Sequence, residues 1–231
     1  MRPLTPLTEA SSMQSYASRP PLHVIHAVNS VRRAQAKDSR YDAMEIDISG
    51  INGHLLAAHD EQNARHAPSL EEIFAALSHP ENKTFWLDVK TDLTQDDITE
   101  LKKLAQKYHI HPRRLLFEVA PGPLAELLNS NGLLILLQLP AGFDEDGGDP
   151  QKRRTLNEHL EELLQRYHPF AVVASLGKYP YLRAYFPHYN KAIYSSTTVR
   201  PSLKKYFLTR AMFADPSVRV WMQDEYTVLP F

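Results

Sequence analysis

Residues 43–49 read Ala-Met-Glu-Ile-Asp-Ile-Ser, a stretch that indicates both the fold and the candidate site of this chain. Apolar residues alternate with Glu45, Asp47 and Ser49, which is typical of a β-strand whose two faces differ. The two carboxylates would lie ~7 Å apart on one face, where they repel each other and lose hydration if buried. A divalent cation with a preference for oxygen ligands, Mg²⁺ or Ca²⁺, would compensate both effects. A solvated strand face fits the same alternation. The neighbouring motifs are needed to distinguish a metal-binding face from a solvated one.

Strand-like and helix-like stretches alternate along the rest of the chain. Strands are predicted at 23–29, 43–49, 84–90, 115–120, 133–139, 170–176, 192–196 and 218–223. Helices are predicted between most of them, including one that begins with the capping-box pair Ser69 and Glu72 and one capped by Thr94 or Asp97. Residues 53–60 form a hairpin-like excursion after the second strand.

Eight strand–helix units predict an α/β protein with a single, compact (β/α)8 TIM-like barrel. An open doubly wound sheet is the alternative, but no glycine-rich βα turn supports it. The barrel is expected over residues 21–231, after a poorly ordered arm at residues 1–20 that is rich in Pro, Ser and Thr. The last strand ends close to Phe231, so a final covering helix is expected to be lacking.

Composition excludes several classes of function. The 231 residues carry a formal net charge of −1, which does not suggest nucleic-acid binding, and the absence of cysteine excludes disulfides and thiolate chemistry. No apolar run reaches the ~18 residues of a membrane span, although contact with a membrane surface stays open. Cytoplasmic, periplasmic and secreted locations also stay open, as does the oligomeric state.

Polar residues late in the first three strands mark the candidate site, because barrels of this kind place their sites at the carboxyl ends of the strands. The set comprises His26, Asn29, Glu45, Asp47, Asp88 and Lys90, joined by His59 and Asp60 at the end of the excursion. Glu45, Asp47 and Asp88 would hold one divalent cation and leave positions open for substrate oxygens. Lys90 and Asn29 would contact a substrate phosphate.

The histidines suggest proton transfer. His26 and His59 would lie on either side of a phosphorus atom, one taking a proton from the attacking hydroxyl and the other giving one to the leaving oxygen. Asp60 would orient a histidine or hold its loop. Glu118, on the fourth predicted strand, would face the barrel as a further ligand or hydrogen-bond acceptor, or would face a helix.

Five motifs, in order, resemble the phospholipase-C-like phosphodiesterase barrel superfamily: HAVNS (26–30), EID (45–47), AHD (58–60), PSLEE (68–72) and LDVK (87–90). Their order and spacing are similar to those of glycerophosphodiester phosphodiesterases. HAVN in place of His-Arg-Gly, and Asp in LDVK, are closer to the sphingomyelinase D/phospholipase D toxins and the menorin family. The resemblance is good over residues 22–90 and rests on the strand–helix rhythm beyond them.

The resemblance implies metal-dependent cleavage of a glycerophosphodiester or a (lyso)phospholipid-type substrate. It implies the same acid/base pair, ligand set and lysine, and it adds Trp221 as a substrate-facing aromatic. Two departures leave the substrate open, because no arginine follows His26 and the cysteine-bridged catalytic loop of the toxins is absent. The enzyme would be a phosphoric diester hydrolase or a phospholipase D-type lyase.

Two other functions fit the residues. A non-catalytic barrel could retain the metal and bind a phosphate headgroup or a protein, and another metal-assisted barrel enzyme, such as an aldolase- or enolase-type lyase, is the third hypothesis. Further pocket residues are expected late on strands five to seven, namely Gln138, Ser175, Lys178 and Tyr194. The acidic loop 144–149 would overhang the mouth and gate it.

Overall fold

The computed structural model describes residues 20–140, 143, 149–195 and 203–224. Its strands are β1 (Leu22–Ile25), β2 (Ala43–Ile51), β3 (His54–Leu56), β4 (Thr84–Val89), β5 (Leu115–Val119), β6 (Leu134–Gln138), β7 (Ala171–Ser175), β8 (Lys191–Ser195) and β9 (Val218–Gln223). Among these described residues, eight parallel strands follow the order β1-β9-β8-β7-β6-β5-β4-β2, and pairing of β1 with β2 closes them into a barrel. The predicted (β/α)8 barrel is confirmed, and the closure excludes the open sheet.

The helices are α1 (Val31–Asp38), α2 (Glu61–Ala64), α3 (Leu70–Ala75), α4 (Gln95–Lys107), α5 (Pro123–Ser130), α6 (Pro150–Tyr167), α7 (Tyr179–Tyr185) and α8 (Leu203–Phe213). Ser69 with Glu72, and Thr94 with Asp97, form complete capping boxes as predicted. Helix α7 ends at Tyr185, because Phe186, the residue before Pro187, is driven away from helical dihedrals.

Strand periodicity separates two cores. Inward-facing side chains such as Ala43, Trp86 and Leu136 fill the barrel, while Ile46, Leu87 and their outward-facing neighbours pack under the helices. The barrel interior is apolar at its base and becomes acidic towards the carboxyl ends of the strands. The fold therefore concentrates its buried charge at one end of the barrel, where sites of this architecture lie.

Strand β2 continues beyond the barrel into a hairpin. Its last residues pair antiparallel with β3, with Ser49 opposite Leu56 and Ile51 opposite His54. The two turn residues, Asn52 and Gly53, have φ values of 51° and 76°. Positive φ at both positions is what a two-residue type I′ turn requires, and Asn-Gly is its preferred sequence. The hairpin-like excursion at 53–60 thus leads the chain from β2 to His59.

Three expectations fall on parts of the chain outside the described residues. These are the N-terminal arm at 1–20 except Pro20, the acidic loop 144–149 except Asp149, and the lack of a covering helix after residue 224. Across the residues that are described, no helix is long and apolar enough to cross a membrane.

Candidate metal centre

Three carboxylates converge at the carboxyl end of the barrel. Glu45, Asp47 and Asp88 each offer an oxygen, and these oxygens lie within 4.8 Å of one another. The convergence follows from register: Asp47 on β2 pairs with Asp88 on β4, and Glu45 precedes Asp47 by two residues on the same face. The sequence-predicted ligand set is therefore one cluster of acidic side chains.

The loop after β1 holds two of these carboxylates in place. The amide of Ala27 donates a 2.5 Å hydrogen bond to Oε2 of Glu45. Asn29 donates from Nδ2 to Oδ2 of Asp47 at 2.5 Å and accepts from the Asp47 amide at 2.9 Å. Both polar atoms of the Asn29 carboxamide are thus bonded to Asp47, so Asn29 positions an acidic side chain. Its expected contact with a substrate phosphate stays a prediction.

Ala27 adopts an unusual backbone conformation to make its contact. Its φ of 59° is in the left-handed region, which disfavours a residue with a Cβ by ~1–2 kcal/mol. The residues flanking Ala27 are anchored, because the His26 amide donates to Gln223 O at 3.2 Å and the Val28 amide to Glu45 O at 2.8 Å. The positive φ also ends β1 at Ile25, four residues before the predicted end of that strand.

Lys90 lies between two of the acids. Its Nζ is 2.9 Å from Oδ1 of Asp47 and 2.5 Å from Oδ2 of Asp88. Burial alone would lower the pKa of Lys90, but the hydrogen bonds and charges of Asp88 and Asp47 outweigh it, and the pKa is raised. The ammonium group therefore stays protonated and offsets part of the negative charge of the cluster.

Glu45 is the carboxylate of the cluster whose burial is least compensated by hydrogen bonds or opposite charge. Its side chain is 1 % exposed, and Oε1 is buried without a hydrogen-bond partner among the described residues. Burial, followed by the neighbouring charge of Asp47, raises the pKa of Glu45 well above its ordinary value. A buried carboxylate oxygen without a donor is costly. A divalent cation bound by oxygen ligands would satisfy it, so the residues present fit a metal such as Mg²⁺ or Ca²⁺.

His26 is fixed by a residue that the sequence analysis missed. Its Nδ1 is hydrogen-bonded to Oδ1 of Asp224, the residue that directly follows β9. Its Nε2 lies 3.8 Å from Oε2 of Glu45, which is beyond hydrogen-bonding distance. The sequence did carry a signal for Asp224, since it is a polar residue at the carboxyl end of the last barrel strand.

His59 follows the hairpin and is much more exposed, with 68 % of its side chain accessible. It lies close enough to the cluster for its charge to contribute to lowering the pKa of Asp88, although burial is the larger effect and raises that pKa overall. Asp60 caps α2 by accepting from the Asn63 amide at 2.8 Å, and its Oδ2 lies 4.0 Å from Nδ1 of His59. Asp60 therefore fixes the start of the helix that follows the His59 loop, and its expected role in orienting a histidine stays a prediction.

Glu118 extends the acidic row along the barrel. It pairs in register with Asp88 and accepts hydrogen bonds from Nε1 of Trp86 at 2.7 Å and Nε2 of Gln138 at 3.0 Å. Burial, with the charge of Asp88 as the next cause, raises the pKa of Glu118 to about 7. Each carboxylate oxygen already has a donor, so Glu118 is a hydrogen-bond acceptor facing the barrel and lies outside the three-carboxylate cluster.

The structure contradicts the expected place of Trp221. The inward-facing residues of β9 are Val220 and Met222, so Trp221 points towards the helices. It is 1 % exposed, its ring centroid lies 5.9 Å from that of Phe213, and Nε1 donates to Gln223 at 3.1 Å. Trp221 is therefore a packing residue of the outer core and does not face a substrate.

Two cavities open at the carboxyl end of the barrel, and Asp88 of the cluster lines the first. The first, of about 260 Å³, is lined by His26, Asp88, Glu118, Tyr194, Ser195, Met222, Gln223 and Asp224. The second, of about 340 Å³, is lined in part by Gln138, Ser175, Lys178 and Tyr194, the four residues expected late on strands five to seven. Glu118 and Tyr194 line both, so the two cavities adjoin.

No protein-family model matches the chain, and no curated protein matches it in sequence. Solved structures do. A glycerophosphodiester phosphodiesterase from Parabacteroides distasonis superposes with a TM-score of 0.58 at 12% identity, covering 89% of this chain and 93% of that one.

Two dihydropteroate synthases also superpose, each with a TM-score of 0.50. The one from Coxiella burnetii is 12% identical and covers 90% of this chain and 88% of its own. The one from Yersinia pestis is 14% identical and covers 90% and 89%. At these identities the likenesses show the barrel fold alone, and the enzymes that share it perform different reactions.

Proposed function

We propose that this protein is a metal-dependent phosphodiesterase that cleaves a glycerophosphodiester or a (lyso)phospholipid-type substrate. The observation that carries the proposal is the buried, unpartnered Oε1 of Glu45 within a cluster of three carboxylates at the mouth of the barrel. A phosphodiesterase with the same fold lends it support, because the likeness to the Parabacteroides enzyme covers most of both chains.

His26 acts as the general base. Donation from its Nδ1 to Asp224 fixes the tautomer in which Nε2 carries no proton. Nε2 then accepts the proton of the attacking hydroxyl, which belongs either to water or to a neighbouring alcohol of the substrate. Attack by water gives hydrolysis, whereas attack by the substrate's own hydroxyl gives a cyclic phosphate.

His59 is the general acid that protonates the leaving oxygen. Its exposed position on the loop after β3, within reach of the charge of Asp88, leaves it accessible to a substrate phosphate. Lys90 contributes a fixed positive charge beside Asp47 and Asp88, where it contacts a phosphate oxygen as negative charge builds up.

Glu45, Asp47 and Asp88 would hold the cation. When bound, Mg²⁺ or Ca²⁺ supplies Lewis-acid stabilisation of the negative charge on the phosphate oxygens. The chain itself keeps the acidic side chains in place through Ala27 and Asn29, and the apolar base of the barrel keeps water from reaching them from below.

Turnover of glycerophosphocholine, glycerophosphoglycerol and lysophosphatidylcholine, with Mg²⁺, with Ca²⁺ and with chelator, tests the proposal. We expect metal-dependent cleavage that His26→Ala and His59→Ala each reduce by ~10²–10⁴-fold. His159→Ala, an exposed histidine on α6, is the matched control. Phosphorus NMR of the products separates hydrolysis from cyclisation. Unchanged turnover in both variants would remove the acid/base assignment, and metal-dependent binding without product would favour the non-catalytic barrel.

A further inference from the structure

Helix α8 exposes large apolar side chains on its outer face and buries polar ones on its inner face. Leu203 and Phe207 are 77% and 63% exposed, and they lie four residues apart on one side of the helix. The opposite side is buried and carries Lys205 and Thr209 beside Met212. A surface helix of a soluble protein ordinarily has the reverse arrangement, because large apolar side chains are unfavourable in water. The outer face of α8 is therefore suited to a contact outside the chain.

The part of the chain that contains this face is strongly basic. Residues 163–214 contain no aspartate or glutamate and eight lysines and arginines, although the whole chain has a net charge of −1. Two of the eight, Lys204 and Arg210, are exposed on α8 itself, and neither forms an ion pair with a carboxylate of the described residues. Arg210 lies over the ring of Tyr206, with its guanidinium carbon 5.7 Å from the centroid. Positive charge without paired carboxylates attracts an anionic surface.

The exposed apolar side chains lie in the half of α8 nearer the mouth of the barrel. Strand β8 ends at Ser195, which lines the first cavity, and α8 then runs from Leu203 back to the amino ends of the strands, where β9 begins at Val218. Phe207 is in the second turn from the mouth end. The connection from β8 to α8 is also basic in sequence, with Arg200 and no acidic residue.

An anionic lipid membrane is the partner that this combination of groups fits. Helices that lie at a membrane interface carry lysine and arginine, which are attracted to lipid phosphates, beside apolar and aromatic side chains that enter the acyl boundary. At 11 residues α8 is too short to span a bilayer, so the contact involves one face only. A nucleic acid would use the charge but leave Leu203 and Phe207 in water. A second copy of the chain, joined through the same face, would oppose like charges.

We propose that the outer face of α8, formed by Leu203, Lys204, Phe207 and Arg210, docks the protein on anionic lipid membranes. The two cations bind the headgroups, and the two apolar side chains insert beside them. Docking through this half of the helix brings the mouth of the barrel near the bilayer surface. The inference concerns binding and does not depend on the proposed cleavage.

Co-sedimentation of the full chain with vesicles tests the proposal, with chelator present so that no metal links the protein to lipid. We expect binding to vesicles of equal parts phosphatidylglycerol and phosphatidylcholine, little binding to phosphatidylcholine alone, and weaker binding as salt is raised. Leu203→Ser and Phe207→Ser should each lower the partition coefficient ~10-fold or more, and Lys204→Gln ~5-fold. Lys103→Gln, which removes an exposed cation on α4, should bind as the wild type does.

The substituted side chains are exposed, so the variants should unfold at the same temperature as the wild type. Tyr185→Ser, an exposed aromatic at the end of α7 farther from the mouth, is the control for loss of an apolar side chain. A wild type that does not sediment with anionic vesicles, or undiminished binding by both Leu203→Ser and Phe207→Ser, would overturn the proposal. Light scattering without lipid gives a second check: a wild-type dimer that Phe207→Ser dissociates would make this face a contact between copies of the chain and would also overturn it.

Discussion

Nδ1 of His26, on the residue that follows the first barrel strand, is hydrogen-bonded to the carboxylate of Asp224, the residue that follows the last one. The contact lies across the seam where β1 pairs with β9 and joins residues 198 positions apart in the chain. Pairing of the first barrel strand with the last therefore creates the histidine–carboxylate pair.

Asp224→Asn is expected to lower kcat/KM while leaving the fold intact. An amide that donates to Nδ1 would favour the tautomer with the proton on Nε2, which cannot act as a base; the loss should be ~10²-fold or more. The measurement is the pH profile of kcat/KM alongside that of His26→Ala. Equal activity of Asp224→Asn and wild type across the profile would show that Asp224 does not orient the base.

Glu45→Gln is expected to abolish stabilisation by metal and to stabilise the metal-free protein at neutral pH. The neutral amide keeps the hydrogen bond from Ala27 and removes a buried charge next to Asp47. Chemical unfolding with and without Mg²⁺ measures both effects; binding at 100 times the Kd should add ~2.7 kcal/mol to the wild type. Glu100→Gln, on α4 with 42% of the Glu100 side chain accessible, should respond to Mg²⁺ as the wild type does.

Lys90→Met is expected to destabilise the metal-free protein by ~1–3 kcal/mol. This loss lies between those of exposed and of fully buried ion pairs, because 20% of the Lys90 side chain remains accessible. The loss leaves Asp47 and Asp88 without their counter-charge. Mg²⁺ should then stabilise the variant more than it stabilises the wild type. Lys103→Met, which breaks an exposed pair with Glu100, should have little effect in the same unfolding experiment; a comparable loss there would mean that the charge cluster is not responsible.

The raised pKa of Glu118 predicts that the stability of the protein depends on pH. Because burial and Asp88 raise its pKa from 4.5 to about 7 in the folded protein, the folded state holds a proton that the unfolded state has released. The contribution of Glu118 to stability is thus present below pH 4.5 and is lost as pH rises to about 7, with a total of up to about 3 kcal/mol. The free energy of unfolding of the metal-free protein should be measured over this range for the wild type and for Glu118→Gln. As pH rises, the wild type should lose stability relative to the variant. A constant difference would contradict the raised pKa.

Trp221→Phe is expected to act on stability and not on substrate. The smaller ring loses contact with Phe213 and the bond to Gln223, which should cost ~1–2 kcal/mol in the free energy of unfolding. KM for any diester should stay at the wild-type value. A selective rise in KM would restore the substrate-facing role that the sequence resemblance suggested.

Local sequence patterns were sufficient to predict the barrel and the acidic cluster. Alternation over residues 43–49 placed Glu45 and Asp47 on one face, and the strand at 84–90 then brought Asp88 beside them through register alone. The capping boxes at Ser69 and Thr94 were legible because their partners lie three residues away. These features depend on short-range spacing, which a single sequence records.

Contacts between distant strands and unusual backbone dihedrals could not be predicted from local spacing in the same way. The partner of His26 is 198 residues away, and the positive φ of Ala27 has no marker, since alanine is not a residue that favours it. Trp221 was misplaced because the resemblance took precedence over the strand period: alternation in Val-Arg-Val-Trp-Met-Gln already puts Val220 and Met222 inside. Position on the strand was the better guide to which side chains face the mouth.

The hairpin formed by β2 and β3 turns at Asn52 and Gly53, and no atom of the described residues lies within 4 Å of where a Cβ on Gly53 would stand. A fluorescent or paramagnetic label attached at the neighbouring, exposed His54 would follow the hairpin that leads to His59, whereas a side chain at Gly53 itself would strain its φ of 76°. Shortening the tip by one residue would instead exchange the faces of Leu55 and Leu56 and carry the imidazole with them. Engineers of this scaffold should therefore keep both the length of this tip and its glycine.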